Sequence, residues 1–96
     1  MPSLGEYSNV YDTCLAIMSS KGFQLWNDRV TGLFWAEKGG WDFCAESPSS
    51  LLGLITIFDN RAPDHYHEYW WRLDANVTYR QLPASPPRPY IPVWKR

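Results

Sequence analysis

The densest run of side chains able to do chemistry in this 96-residue chain is Asp64-His65-Tyr66-His67-Glu68. Two imidazoles two positions apart share one face of an extended strand, a spacing that permits metal chelation, and Glu68 adds a carboxylate beside them. The sequence offers no obvious third ligand, so no metal site is assigned. Asp42 and Glu46 form a second pair that could be imagined as acid and base. Nothing nearby raises either pKa or supplies a cleft, and both read as solvated strand positions. A Ser or Cys nucleophile would need His65 or His67 as its base, since the chain has no other histidine. Glycine-rich phosphate loops, dinucleotide fingerprints and nucleophile elbows are missing. No catalytic residue and no cofactor are therefore expected. The rival reading is a small enzyme or metal protein built on His65, His67 and Glu68.

The aromatic load is the compositional outlier. At 17% of residues, with six tryptophans, the rings exceed what one small core can hide, so several must reach the surface. They serve either as anchors of a thin core with exposed edges or as a binding surface. Charge points away from nucleic acid, because a net charge of -1 lacks the Lys and Arg concentration that phosphate binding needs. That charge is unevenly spread: Asp42, Glu46, Asp59, Asp64, Glu68 and Asp74 face only Arg61 and Arg72, whereas Arg80, Arg88, Lys95 and Arg96 follow. The acidic middle is either a solvated face or the complement of a basic partner. Pro86-Pro87-Arg88-Pro89 also carries a P-x-x-P spacing that an aromatic groove can recognise.

No basic N-terminal cluster and no apolar run long enough for a signal or membrane segment is found, so a soluble, cytoplasmic chain without membrane contact is expected. Cys14 and Cys44 are too few for a disulfide scaffold and are expected to be free, buried thiols. In such a compartment Asn76-Val77-Thr78 is not a glycosylation site.

The elements that position these groups follow from spacing. Ser3 and Glu6 have the separation of a capping box, and Leu4, Tyr7, Val10, Tyr11, Cys14, Leu15 and Met18 recur at helical steps until Gly22. Residues 23–26 and 30–37 read as strands around an Asn27-Asp28 turn, and Lys38-Gly39-Gly40 closes a hairpin. The next strand alternates, with Trp41, Phe43 and Ala45 on one face and Asp42, Cys44 and Glu46 on the other. Ser47-Pro48 caps and opens the following segment. Ile55, Thr56 and Ile57 favour a strand there, but the start signal and the spacing of Leu51, Leu54, Ile55 and Phe58 favour a helix, which is expected. Residues 59–64 read as a loop and 66–73 as a further strand carrying Tyr69, Trp70 and Trp71. Asp74 caps a short helix to about Leu82, with a strand through Val77, Thr78 and Tyr79 as the rival. The fold class is thus α+β: a small antiparallel sheet packed on one face by an N-terminal helix and a second short helix. Residues 1–82 make a single domain, and residues 83–96 a proline-rich extended tail lying on the domain or on a partner.

Gly22-Phe23, Trp35-Ala36-Glu37, Gly40-Trp41-Asp42-Phe43-Cys44-Ala45-Glu46, Ser47-Pro48 and Leu51-Leu52-Gly53-Leu54 together resemble small bacterial proteins of helix, hairpin, helix layout, some similar to the immunity proteins that neutralise antibacterial toxins. The resemblance spans residues 22–61 and its markers concern fold; the segment after Pro63 departs from the pattern. It implies a protein that occludes or distorts a cognate toxin domain by direct contact. Acidic side chains suit toxins whose clefts bind nucleic acid, and Trp, Tyr and Arg suit interface anchors. Asp59, Asp64, Glu68 and Trp70 are the expected partner-binding residues, because a loop presenting charges beside large rings is a favoured binding element. The alternatives are that Trp70 or Trp71 fills the core while the acids are solvated, and that the exposed rings stack on a saccharide or nucleotide. Oligomeric state is open.

Overall fold

The computed structural model describes residues 3–73 and 79–86. Along them run a 3-10 turn (Ser8–Val10), α1 (Tyr11–Ser20), β1 (Gln24–Asn27), β2 (Phe34–Lys38), β3 (Trp41–Ala45), α2 (Pro48–Arg61) and a second 3-10 turn (Tyr79–Gln81). The class is α+β, as expected: the three strands form an antiparallel sheet in the order β1-β2-β3, and both helices cover one face of it. Contacts divide the chain into two units, Glu6–Trp71 and Met1–Gly5 with Arg72–Arg96. The first holds both helices and the sheet. The second has the Tyr79–Gln81 turn as its regular element among the described residues.

Helix α1 starts later than Ser3 and Glu6 imply. The α-helix begins at Tyr11 with no side-chain cap, and Leu4, at the head of the expected apolar stripe, is 86% exposed. Glu6 instead accepts hydrogen bonds from the hydroxyls of Ser47 and Ser49 at the start of α2, so its carboxylate caps another helix. The far end of α1 follows the expected stop. Gly22 adopts φ +92°, its N–H reaches Ser19 O at 3.0 Å, and Phe23 N–H reaches Met18 O at 3.2 Å. This pairing satisfies the last carbonyls and turns Phe23 into the core beside Met18.

β1 and β2 are joined by a loop whose shape Asp28 dictates. Its carboxylate accepts the backbone N–H groups of Val30 at 2.9 Å and Thr31 at 3.4 Å, so these two residues leave the extended conformation expected of them. Val30 ends 95% exposed, and β2 starts four residues later. Gly39 and Gly40, at φ +58° and +84°, make the two-residue turn between β2 and β3. The register then pairs Lys38 with Trp41, Glu37 with Asp42, Ala36 with Phe43 and Trp35 with Cys44.

Alternation along the strands separates the two faces. Leu25, Ala36 and Phe43 form one row toward the helices, where Cys14, Met18, Phe23, Leu51 and Ile55 complete a small core. Trp26, Trp35 and Cys44 form a row on the opposite face, which neither α1 nor α2 covers, and Cys44 is an exposed thiol rather than a buried one. Helix settles the ambiguous segment after Pro48. Ser47 accepts Ser50 N–H at 3.1 Å, Pro48 occupies the first turn, and Leu51 and Ile55 are completely buried.

Residues 66–73 form no strand. Tyr69 sits in the left-handed region at φ +58°, Trp70 N–H closes a turn onto His67 O at 3.2 Å, and Arg61 Nε donates to Trp70 O at 3.2 Å. Strand propensity is overridden because the rings find partners by folding back over β3 and α2. Of the helix expected from Asp74 to Leu82, residues 74–78 lie outside the described residues, and Tyr79–Gln81 is 3-10. The Asn76-Val77-Thr78 triplet and residues 87–96 of the expected tail, with most of the P-x-x-P motif, also lie outside them.

Candidate groove beside the third strand

An aromatic cluster locks residues 66–71 onto the domain. Trp41 meets Phe58 at 5.2 Å, Trp70 at 5.3 Å and Tyr66 at 6.4 Å between ring centroids. Phe58 in turn meets Phe43 at 5.3 Å and Trp70 at 6.0 Å, largely edge to face, the arrangement that ring quadrupoles favour. Trp70 is thus half-buried and structural on one side.

The cluster shapes two neighbouring depressions. One, of about 390 Å³, is an almost wholly apolar groove lined by Asp42, Phe43, Leu54, Ile57, Trp70 and Trp71. The other, of about 410 Å³, shares Asp42, Phe43 and Trp70 and adds Gly40, Trp41, His65 and Tyr66. Helical geometry explains the groove's wall. At about 100° per residue, Leu51, Ile55 and Phe58 point into the domain, while Leu54 and Ile57 fall on one flank. Asp59 falls on the other. Ile57 is 41% exposed and Trp71 48%, a large amount of apolar surface for one flank of so small a unit.

The residues expected to bind a partner are only partly brought together. Asp59 is ion-paired to Lys21 Nζ at 2.8 Å and ties α2 to the end of α1, away from the groove. Asp64 is exposed and pairs with His65 Nδ1 at 2.8 Å. Glu68 is exposed on the same loop, and Trp70 separates the two depressions. The groove residues that sequence reasoning did not name as contacts include Leu54, read only as part of the helical spacing, Ile57, read only as favouring a strand, and Asp42, set aside as solvated.

Other chemistry is sparse. The rings of His65 and His67 lie 5.8 Å apart in a loop, and among the described residues no group of three His, Cys, Asp or Glu is placed to hold a metal ion. Glu6 and Asp28 are held below the usual carboxylate range, Glu6 by the Ser49 and Ser47 hydroxyls and Asp28 by the Val30 and Thr31 amides. Both serve capping and turn roles remote from the groove. On the open sheet face Trp26 and Trp35 stack in parallel, 1° between planes and 5.9 Å between centroids. No helix among the described residues is long and apolar enough to cross a membrane. Comparison with protein-family models, curated proteins and solved structures finds no match to this chain in any of the three.

Proposed function

We propose that the chain is a protein-binding domain rather than a catalyst, and that the groove between β3, α2 and residues 70–71 is its contact surface. The observation that supports this reading is the juxtaposition of Leu54, Ile57, Trp70 and Trp71 around an apolar depression of about 390 Å³ with Asp42 on its rim. Large rings and aliphatic groups around a desolvated centre, ringed by charge, are the usual composition of an interface hot spot. The biological form of this reading is the immunity role that the sequence resemblance implies: a cytoplasmic protein that binds a cognate toxin domain and blocks it.

Coexpression with the product of the adjoining upstream reading frame tests that role. Protection of the cells and copurification of the two proteins are expected, with both lost in the Leu54→Glu variant. Unprotected cells and no copurification would retire the toxin-neutralising reading. A second reading rests on the parallel Trp26 and Trp35 rings, which offer a face for stacking a saccharide or nucleobase. Titration with oligosaccharides and nucleotides would then quench tryptophan fluorescence in the wild type but not in Trp26→Ala. A flat titration disposes of it.

A further inference from the structure

We infer that the partner engages this domain by adding an extended strand to the free edge of β3, with apolar residues facing the groove and basic residues facing outward. The inference rests on the protein-binding reading and specifies the form of the bound segment.

Three observations converge. First, β3 ends the sheet, and the parity of its backbone is fixed by the turn. A two-residue connection makes Lys38 and Trp41 the hydrogen-bonded pair next to Gly39-Gly40, and such pairs alternate along an antiparallel ladder. Trp41, Phe43 and Ala45 therefore direct their N–H and C=O groups to β2. Asp42 and Cys44 direct theirs to the open edge, and neither group has a backbone partner among the described residues. Second, the groove runs beside that edge. Phe43 and Asp42 belong to β3, Leu54 and Ile57 to α2, so a strand laid along the edge places every second side chain over the apolar wall.

Third, the outer face beside the edge is acidic. Glu37 and Asp42 stand directly opposite each other across β2 and β3, an unfavourable like-charge pairing; Glu37 accepts the Gly40 N–H at 3.0 Å, and among the described residues neither carboxylate is ion-paired to a Lys or Arg. Glu46 follows at the end of β3. An incoming Lys or Arg at the outward position beside Asp42 relieves that repulsion. A second copy of this chain is a poor occupant, because pairing β3 with β3 brings further carboxylates to the same place. The free edge of β1 differs: Gln24, Leu25, Trp26 and Asn27 carry no charge, and the depression near it is smaller, about 190 Å³.

The probe is a displayed library of linear decapeptides selected on the whole chain. Enrichment of sequences alternating apolar with Lys or Arg is expected, with affinity that falls as salt rises. On binding the best peptide, amide hydrogen exchange at Asp42 and Cys44 should slow at least about tenfold, since these N–H groups acquire partners. Two independent changes should each weaken binding at least about fivefold. One is Cys44→Pro, which removes an outward N–H where proline is tolerated on an edge. The other is N-methylation of the peptide at alternate positions, which leaves the protein untouched; methylation at the intervening positions should have little effect.

Peptides without alternation, or unchanged exchange at Asp42 and Cys44, overturn the proposal. Loss of binding in Leu54→Glu with full binding in Cys44→Pro and in every N-methylated peptide means that a helix or loop occupies the groove; strand addition then fails while the protein-binding reading stands. Insensitivity to Leu54→Glu as well removes both. Concentration-dependent dimerisation abolished by Cys44→Pro assigns the edge to a second copy and also overturns the proposal.

Discussion

Glu6 shows how one carboxylate can act far from the element its sequence position implies. Its side chain takes the hydroxyl protons of Ser47 and Ser49 at the N-terminus of α2, where the helix dipole also favours negative charge. These bonds hold its pKa below the ordinary 4.5, so its contribution to stability is complete above that value and is lost as pH falls through the lowered, folded-state pKa. Urea midpoints measured across the acid range should therefore fall less steeply in Glu6→Gln than in the wild type. Equal slopes would mean that the contact is not maintained in solution. The two thiols give a second residue-scale prediction. Cys44 is exposed on the open sheet face and Cys14 is buried in the core, so a thiol reagent should modify one group quickly and the other only through unfolding. Fast reaction of both in the native protein would contradict the core assignment of Cys14.

At the scale of elements, α2 has a well-built start and a strained finish. Ser47 and Pro48 satisfy and preset the first turn, whereas Ala62 closes the helix at φ +44°, in the left-handed region that disfavours a Cβ. Ala62→Gly should raise stability by about 0.5 to 1 kcal/mol, because relief of that strain outweighs the added freedom of the unfolded chain. A lower melting temperature would show that the strain is compensated locally. The segment beyond Ala62 is fastened by Arg61 and by the Trp41, Phe58 and Trp70 rings, which separates structural from contact roles among the aromatics. Truncating Trp70 to Ala should cost roughly 2 to 3 kcal/mol, less than a fully buried tryptophan, and flatten the near-ultraviolet dichroism. Ile57→Ala, on the exposed wall, should cost under about 1 kcal/mol while weakening partner binding. If Trp70→Ala melted like the wild type, the cluster would not be what holds the loop.

Across the whole molecule, what was legible in the sequence is what local spacing controls, and what was hidden depends on distant partners. Alternation from Trp41 to Glu46 placed β3 and its faces, and Ser47-Pro48 with the Leu51 and Ile55 spacing placed α2. The late start of α1 was hidden because Glu6 serves residues more than forty positions away. Residues 66–71 read as a strand because Tyr and Trp favour strands, yet their rings close one side of the domain instead. Leu54 and Ile57 were hidden as site residues because spacing marks apolar positions without saying which of them the core has room for. That room is small: seven residues form the buried cluster of the described chain, and four of them, Met18, Ala36, Leu51 and Ile55, have no exposure. A domain of this length has a total stability of about 5 to 15 kcal/mol, and removing a buried Leu or Ile side chain to Ala costs about 2 to 5. Leu51→Ala should thus remain folded with a clearly lowered urea midpoint. Adding Ile55→Ala enlarges the same void where α1, α2 and the sheet meet, so the effects should not simply add, and the double variant should be largely unfolded at 37 °C. A cooperative melt of the double variant within a few degrees of the wild type would show that stability resides elsewhere than in this cluster.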